Sequence, residues 1–485
     1  MKVLHLAAEG APFAKTGGLG DVIASLPKAL AQRGLEIAVM LPKYHEIPQQ
    51  YKEQMVKRGE FTVPVGWRKQ YCGLEVLEHQ GVTYYFLDNE YYFKREGLYG
   101  HWDDGERYAY FCRAALEALP HLDVAPQIIH CHDWHGAMVP LLLQEHYGDS
   151  ELYSRIKTVF SIHNLKYQGL FPTEILGDLL DLSHEKYFNW DGVEFWNQVS
   201  FMKAGVQFAD MITTVSTTYS QEVQEPYYGE RMDGILQEKS AAEKLKGIVN
   251  GIDYDEYNPQ WDKHIFVNYT EKSLTKKSEN KRRLQQCLGL EQNSTKPIIA
   301  IVSRLVEQKG IDLIMAVWDE VLATGAQVVI LGSGDEDYEN WFRTKGRENP
   351  HSVSVTISYN DQLARQIYAG ADVFLMPSRF EPCGLGQLIA LRYGTIPVVR
   401  ATGGLKDTVE PYDETGDSGW GFTFANYNAH EMLFALEEAI AVYGKKSAWT
   451  KLRRRAMSQD FSWNNSAGEY LEVYTQLISK GESNV

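Results

Sequence analysis

The chain has 485 residues and lacks the features that mark several large protein classes. It has no apolar run of the about 18 residues that a membrane-spanning helix needs. Its five cysteines are scattered and lack CxxC spacing, which favours a reducing compartment over a disulfide framework or a cysteine metal site. No strand-like segment is followed by GxGxxG, which argues against a nicotinamide-dependent enzyme.

The chain also carries fewer positive than negative charges. Lys and Arg total 48 against 64 Asp and Glu, a net charge of −16. This balance argues against nucleic acid or an anionic membrane as the main partner, although a local basic cluster could still hold a small anion. The first residues run directly into a strand-like segment, without the layout of a signal peptide. We therefore expect a cytoplasmic protein.

The apolar pattern predicts an α/β fold. Short strand-like runs alternate with amphipathic helices on both sides of residue 250, which is typical of parallel sheets. We expect two Rossmann-like domains facing a deep cleft, with boundaries at 1–248 and 249–460. A last helix within 461–485 could cross back to the first domain. Ligands of such sheets bind at the carboxyl ends of the strands.

A glycine-rich loop follows the first predicted strand. It contains Lys15, Gly17 and Gly18, and Asp21 could cap the helix that we expect from Asp21 to Arg33. A glycine-rich turn before a helix, with a lysine, could cradle an anion. The spacing matches neither a Walker loop nor GxGxxG, so a tight turn with a surface lysine is an open alternative.

Two later strands end in polar residues. His132-Asp133-Trp134-His135 follows one, and Ile162-His163-Asn164 follows the next. Asp133 could contact a ligand or cap a helix, and His163 could donate to a substrate or be structural. Side chains alternate faces along a strand, so the histidines are a poor metal site and we predict none. Tyr99, in an aromatic-rich stretch, could stack on a sugar or simply pack.

The second half carries three further loops at predicted strand ends. Arg304 and Lys309 lie on one of them and suit a diphosphate, with a solvated loop as the alternative. Glu381 lies on a strand-to-helix turn, beside backbone N–H groups that favour an anion, with a solvated loop glutamate as the alternative. Residues 401–405 form a second glycine-rich turn at a helix start.

Taken in order, seven segments of the chain resemble the bacterial glycogen synthases and the plant starch synthases. The segments are 15–22, 132–135, 162–164, 250–253, 303–310, 378–385 and 402–405. The resemblance implies a retaining glucosyltransferase of the GT-B type that extends α-1,4-glucan (glycogen) from ADP-glucose and releases ADP. We expect no cofactor, and no metal either, because the cations would stabilise the diphosphate and no acidic pair stands out as a metal site. The N-terminal domain would hold the glucan and the C-terminal domain the nucleotide sugar.

The same resemblance implies roles for particular residues. Arg304 and Lys309, with the amides after Glu381, would stabilise the leaving diphosphate, and Lys15 would reach it from the other domain. The candidate catalytic residues are Glu381, Lys15, His163, Arg304 and Lys309. The candidate substrate-binding residues are Gly17, Gly18, Asp21, Tyr99, Asp133, Asn164, Asn250, Tyr359, Cys383, Gly384, Leu385, Gly386, Thr402 and Gly403.

The chain departs from related transferases at two positions. Ile389 stands where many carry a second glutamate, and Gly386 stands where many bacterial relatives have Thr. The first removes a candidate acid, and the second removes a hydroxyl that could help to hold the phosphate. Because the cations suit a step driven by the leaving group, we favour same-face attack assisted by the leaving phosphate over a double displacement. UDP-glucose as donor, a small sugar acceptor and a non-catalytic glucan-binding protein stay open. A phosphorylase would need a lysine for pyridoxal phosphate, and no segment provides its context.

Overall fold

The computed structural model of the protein describes residues 1–123, 125–413, 415 and 418–482, with side chains up to residue 479. Residues 483–485 of the predicted terminal segment lie outside this description. The described chain divides into two compact units. Unit 1 comprises Met1–Asn250 and the C-terminal helix, and unit 2 comprises Gly251–Ser462.

Unit 1 is built on a largely parallel sheet. Its strands in chain order are β1 Lys2–Leu6, β2 Glu36–Pro42, β3 Val56–Val65, β4 Arg68–His79, β5 Val82–Asp88, β6 Ile128–His132, β7 Lys157–Ile162, β8 Leu170–Phe171, β9 Glu194–Phe195, β10 Gln198–Ser200, β11 Met211–Thr214 and β12 Leu245–Gly247. The main sheet has the order β12-β11-β7-β6-β1-β2-β5-β4-β3, and β8, β10 and β9 form a small separate sheet. The strand order reverses between β1 and β6, so the loops after these strands flank the switch point at which such sheets bind ligands.

The helices of unit 1 connect these strands. They are α1 Gly18–Gln32, α2 Gln49–Lys52, α3 Glu90–Phe93, α4 Asp104–Ala118, α5 Asp133–Gly136, α6 Val139–Leu142, α7 Ile175–Asp178, α8 His184–Tyr187, α9 Phe201–Phe208, α10 Thr217–Glu222 and α11 Asp233–Ala241. The predicted start of the first helix was wrong, because α1 begins at Gly18 with Gly17 as its N-cap. Asp21 therefore lies in the first turn, where a carboxylate favours the helix dipole, and does not cap the helix.

Unit 2 is built on a fully parallel sheet. Its strands are β13 Ile298–Val302, β14 Gln327–Leu331, β15 Val353–Thr356, β16 Val373–Met376, β17 Ile396–Arg400 and β18 Phe422–Phe424, in the order β15-β14-β13-β16-β17-β18. The chain moves outward from β13 in one direction and from β16 in the other. The switch point of unit 2 therefore lies between β13 and β16, beside the loops that carry Lys309 and Glu381.

Helices cover both faces of this second sheet. They are α12 Thr275–Cys287, α13 Ile311–Ala316, α14 Trp318–Ala323, α15 Glu336–Glu348, α16 Asp361–Gly370, α17 Gly386–Arg392, α18 Gly403–Thr408, α19 Ala429–Gly444 and α20 Lys446–Met457. Successive residues of β13 enter different cores, since Ile299 and Ile301 join one buried cluster and Ile298 and Ala300 the other. A strand buried on both faces is typical of an α/β protein, and the predicted α/β class is confirmed.

The last helix, α21 Trp463–Glu482, belongs to unit 1. It packs against α1, where the Arg33 guanidinium donates to the side-chain oxygen of Asn464 at 3.0 Å. Deeper in the unit, the Tyr474 hydroxyl lies 2.7 Å from Nδ1 of His130 on β6. Among the described residues, no helix is both long and apolar enough to cross a membrane.

Candidate active site

In unit 2, the loops after β13 and β16 are in close backbone contact. Gly310 has a φ of +71°, and a Cβ at this position would lie 2.1 Å from the carbonyl oxygen of Pro377. The N–H of Arg379 donates to the carbonyl of Gln308 at 2.9 Å. Only glycine allows both this left-handed conformation and this approach, so Gly310 fixes the spacing of the two loops.

That contact brings the side chains of Lys309 and Glu381 together. Nζ of Lys309 lies 2.6 Å from Oε2 of Glu381, and the Ser378 hydroxyl donates to the same oxygen at 2.9 Å. The two charged side chains are only 15% and 7% exposed. In a buried setting each charge needs a partner, so an incoming anion would compete with Glu381 for Lys309.

The glycine-rich turn after β17 closes the other side of this segment. Gly403 has a φ of +48°, and a Cβ there would lie 1.9 Å from the carbonyl oxygen of Glu381. The N–H of Gly404 donates to that carbonyl at 3.1 Å. Thr402, the N-cap of α18, is fully buried, and so is most of Cys383, two residues after Glu381. The structure thus brings the predicted segments 381–383 and 402–403 together.

A glutamine that the sequence interpretation missed shapes the next turn. The amide nitrogen of Gln387 donates to the carbonyls of Cys383 and Gly384, both at 3.0 Å, and to the Thr408 hydroxyl at 3.1 Å. Gln387 is fully buried on α17, and Gly384 has a φ of +76°. Leu385 and Gly386, at the N-cap and first position of α17, follow in this turn. Its backbone N–H groups at the helix start suit an anion.

Two other predicted residues of unit 2 are exposed. Arg304 is exposed on the loop after β13, and Tyr359 follows β15 with 80% of its surface exposed. Both residues follow strands of the second sheet, at its carboxyl edge.

In unit 1, the buried carboxylate of Glu9 organises the glycine-rich loop. It accepts hydrogen bonds from the N–H of Thr16, from the Thr16 hydroxyl at 3.1 Å and from the N–H of Gly17 at 3.3 Å. Burial raises its pKa. Sequence reasoning missed Glu9; its place directly after β1, at the switch point, was the available signal. In the same loop, Nζ of Lys15 lies 2.6 Å from Oδ1 of Asp21, and Gly18 is exposed.

Asp133 ties the end of β6 to the end of β7. Its Oδ1 accepts from the N–H groups of His163 at 2.8 Å and Asn164 at 3.4 Å, and its own φ is +53°. Burial raises the pKa of Asp133 to about 7. The charge of Glu9 also raises this pKa, whereas the two amide donors lower it. Perturbed carboxyls of this kind cluster at functional sites.

His163 and Tyr99 are the remaining predicted side chains of this edge. Burial lowers the pKa of His163 to about 3, so its imidazole is neutral near neutral pH. One face of the Tyr99 ring stacks on His135 at a centroid distance of 4.5 Å. The buried Tyr99 hydroxyl and the buried Oδ1 of Asn250 have no hydrogen-bond partner among the described residues. Buried polar atoms normally have a hydrogen-bond partner, so these two atoms are suited to contact a polar ligand.

Comparison with known proteins places this geometry in a family. A family model described as "Starch synthase catalytic domain" matches residues 2–238, and one described as "Glycosyl transferases group 1" matches 289–455. The chain is 53% identical over 479 residues to the glycogen synthase of Anoxybacillus flavithermus, covering 99% of this chain and 98% of that one. The chain belongs to the glycogen and starch synthase family.

Two further relatives agree with this assignment. The glycogen synthase of Desulforamulus reducens is 52% identical over 482 residues, or 99% of this chain and 100% of that one. The catalytic domain of starch synthase IV from Arabidopsis thaliana, solved with ADP and acarbose, matches with a TM-score of 0.90 and 35% identity over 98% of this chain and 99% of that one. The protein is therefore a glycosyltransferase of the GT-B fold class, as predicted.

A more distant structure shares the fold alone. Sucrose-phosphate synthase from Thermosynechococcus elongatus matches with a TM-score of 0.61 and 18% identity, over 99% of each chain. The family's glycine-rich segments coincide with the places where a Cβ would meet backbone, at Gly310, Gly403 and Gly404. In this chain, glycine at these three positions is thus required for the close packing of the loops.

The raised pKa of Asp133 predicts a pH-dependent stability. The pKa of an aspartate in the unfolded chain is about 3.9, whereas the pKa of folded Asp133 is about 7. Between these values the folded state binds more protons, so this group's contribution to stability falls as pH rises. Asp133→Asn retains the oxygen acceptor and removes the titration. The difference in free energy of unfolding, Asp133→Asn minus the unsubstituted protein, should therefore increase by on the order of 1–3 kcal/mol from about pH 5 to about pH 8.

Urea unfolding of both proteins across this range measures the difference. Asp149→Asn, at an exposed position, is the control and should show no such trend. A constant difference between Asp133→Asn and the unsubstituted protein would contradict the raised pKa.

Proposed function

We propose that the protein is a glycogen synthase that transfers glucose from ADP-glucose to the non-reducing end of an α-1,4-glucan, with retention, and releases ADP. The observation that carries this proposal is the buried Lys309–Glu381 pair at the switch point of unit 2. Support comes from relatives about half identical over nearly their whole length that are named glycogen synthases, and from the ADP and acarbose bound by the Arabidopsis starch synthase.

In the proposed donor site, unit 2 holds the nucleotide sugar. Cleavage of the bond between glucose and phosphate leaves negative charge on the diphosphate. Lys309 and Arg304, with the backbone N–H groups of residues 384–386, would stabilise this charge as it develops. Thr402, Gly403 and Cys383 would line the same seat, and Tyr359 would stack on the base.

Glu381 would lie next to the transferred glucose. Its ion pair with Lys309 keeps both charges satisfied until the diphosphate binds the lysine in its place. We propose same-face attack, in which the leaving phosphate takes the proton of the acceptor hydroxyl. The fixed cations supply the charge stabilisation of this step, so we expect it to need neither a metal ion nor a cofactor.

In the proposed acceptor site, unit 1 holds the glucan. Asp133, His163, Asn164 and Asn250 would contact the transferred glucose, with Tyr99 nearby. In the same unit, Lys15 is the proposed catalytic cation, and Asp21, Gly17 and Gly18 are proposed to bind substrate, with Asp21 orienting Lys15 through their ion pair. We also propose a cytoplasmic location, because the five cysteines are free thiols and Cys287 is exposed, which suits a reducing compartment.

The donor preference is the first test. Incorporation of glucose into glycogen should be fast with ADP-glucose, slow with UDP-glucose, and unchanged by a chelator. Faster turnover with UDP-glucose would keep the chemistry and overturn the proposed donor. Retention on glycogen without turnover of either donor would favour a glucan-binding protein instead.

A second test removes the cation from the proposed diphosphate seat. Lys309→Ala should weaken ADP binding by about 10–100-fold, because it removes a charge-assisted contact. Lys345→Ala is the matched control, since Lys345 is paired with Glu348 on an outer helix of the same unit. Calorimetric titration of ADP measures both, and Glu381→Gln should bind ADP at least as tightly as the unsubstituted protein while losing turnover. Unchanged ADP affinity in Lys309→Ala would remove Lys309 from the donor site.

A further inference from the structure

Three histidine side chains of unit 1 form a hydrogen-bonded chain that ends at the candidate site. Nδ1 of His5 lies 3.0 Å from Nε2 of His132, and Nδ1 of His132 lies 2.9 Å from Nε2 of His163. His5 and His132 are fully buried. We call His5, His132 and His163 the imidazole chain.

Strand register brings these residues together. β1 and β6 are parallel neighbours, and their register pairs His5 with His130, two residues before His132. β6 and β7 are also parallel neighbours, and their register pairs His132 with Ser161, two residues before His163. Residues two apart on a strand share a face, so the three imidazoles step across the sheet toward its carboxyl edge.

The geometry constrains where the protons lie. A neutral imidazole has one N–H and one bare nitrogen, and His132 uses both of its nitrogens within the chain. It must therefore donate to one neighbour and accept from the other. Burial lowers the pKa of His5 and His163 to about 3, and that of His132 well below its usual range, so all three are neutral near neutral pH.

Two proton arrangements satisfy this constraint. In the first, His5 donates to His132, His132 donates to Nε2 of His163, and His163 carries its own proton on Nδ1. In the second, every bond is reversed, Nδ1 of His163 is bare and His5 carries its proton on Nε2. The imidazole chain thus couples the tautomer of His163 to that of a residue two strands away.

The far end of the chain selects between them. Nε2 of His5 is buried and has no hydrogen-bond partner among the described residues. The second arrangement would leave an unpaired N–H there, whereas the first leaves only a bare acceptor. Orphaned buried N–H groups are rarer than under-satisfied acceptors, so the first arrangement is favoured.

We propose that His5 and His132 are positioning residues that hold His163 as the tautomer protonated on Nδ1, which donates a hydrogen bond to a hydroxyl oxygen of the transferred glucose. The proposal rests on the proposed function for the identity of that sugar. Asp133 fixes the backbone of His163 through the N–H bond at 2.8 Å, and the imidazole chain fixes its ring proton. A donor oriented before the substrate arrives needs no rearrangement during the reaction.

A metal ion is the alternative occupant of this cluster, since nitrogens of His5, His130 and His132 lie within 4.8 Å of one another. However, His130 already uses Nδ1 with Tyr474 at 2.7 Å and Nε2 with Ser161 at 2.6 Å. His132 also uses both nitrogens. Only Nε2 of His5 is without a partner among the described residues, and one nitrogen is too few for a metal site.

Two substitutions of His132 separate the ends of the chain. The amide of an asparagine takes roughly the position of Nδ1, whereas that of a glutamine takes roughly the position of Nε2. His132→Asn should therefore keep the bond to His163, and His132→Gln should keep the bond to His5 and lose the one to His163. His130→Gln is the matched control, because His130 is equally buried on the same strand but lies outside the imidazole chain.

The tautomer is measured by ¹⁵N NMR on full-length protein labelled at histidine, with His163→Gln assigning the signal among the 14 histidines. We expect Nδ1 protonation of His163 in the unsubstituted protein and in His132→Asn, and its loss in His132→Gln. The turnover number of His132→Gln should fall about tenfold or more, with ADP affinity unchanged, while His132→Asn and His130→Gln keep most of it.

Nε2 protonation of His163 in the unsubstituted protein would overturn the proposal, as would equal losses of turnover in His132→Gln and His130→Gln at matched stability. Zinc-dependent shifts of the His5 and His132 signals would overturn it in favour of a metal. The NMR result needs no substrate. If the unsubstituted protein transfers no glucose, the proposed function fails while the tautomer of His163 is still decided.

Discussion

Close approach of backbone segments at the carboxyl edge of the second sheet is the constraint on which the candidate site depends. Gly310 and Gly403 have left-handed conformations, and a Cβ at either would lie about 2 Å from a carbonyl oxygen of the segment that contains Glu381. Without these contacts the loops after β13, β16 and β17 would separate. Lys309 and Glu381 could then no longer meet at 2.6 Å in a buried setting.

Burial, more than net charge, sets the chemistry of the site residues. The chain as a whole carries a charge of −16, yet its candidate diphosphate seat is built on cations at strand ends. In unit 1, desolvation raises the pKa of Glu9 and Asp133 and lowers that of His163. Burial thus favours the neutral form of these acids and of the imidazole, and the neutral imidazole acts only through its hydrogen bonds.

The sequence predicted what is local. Alternating apolar runs gave the strands, and the glycine segments marked the loops at the strand ends, because both signals lie within a few residues. The start of α1 was predicted wrongly, since a glycine N-cap gives a weaker signal than Asp21. Glu9 and Gln387 were missed because their hydrogen bonds to nearby residues form only when the loops fold, and no pattern of residue types marks them. The contact between His5 and His132 was missed because strand register brings together two residues 127 positions apart.

The most direct test of the account is a crystal structure of the protein with ADP. If the cradle formed by the loops after β13, β16 and β17 is the donor site, the diphosphate will contact Nζ of Lys309 and the N–H groups of residues 384–386. Glu381 will then have exchanged its lysine partner for another donor. ADP bound away from these loops, or bound with the Lys309–Glu381 pair intact and no phosphate contact to Lys309, would contradict it.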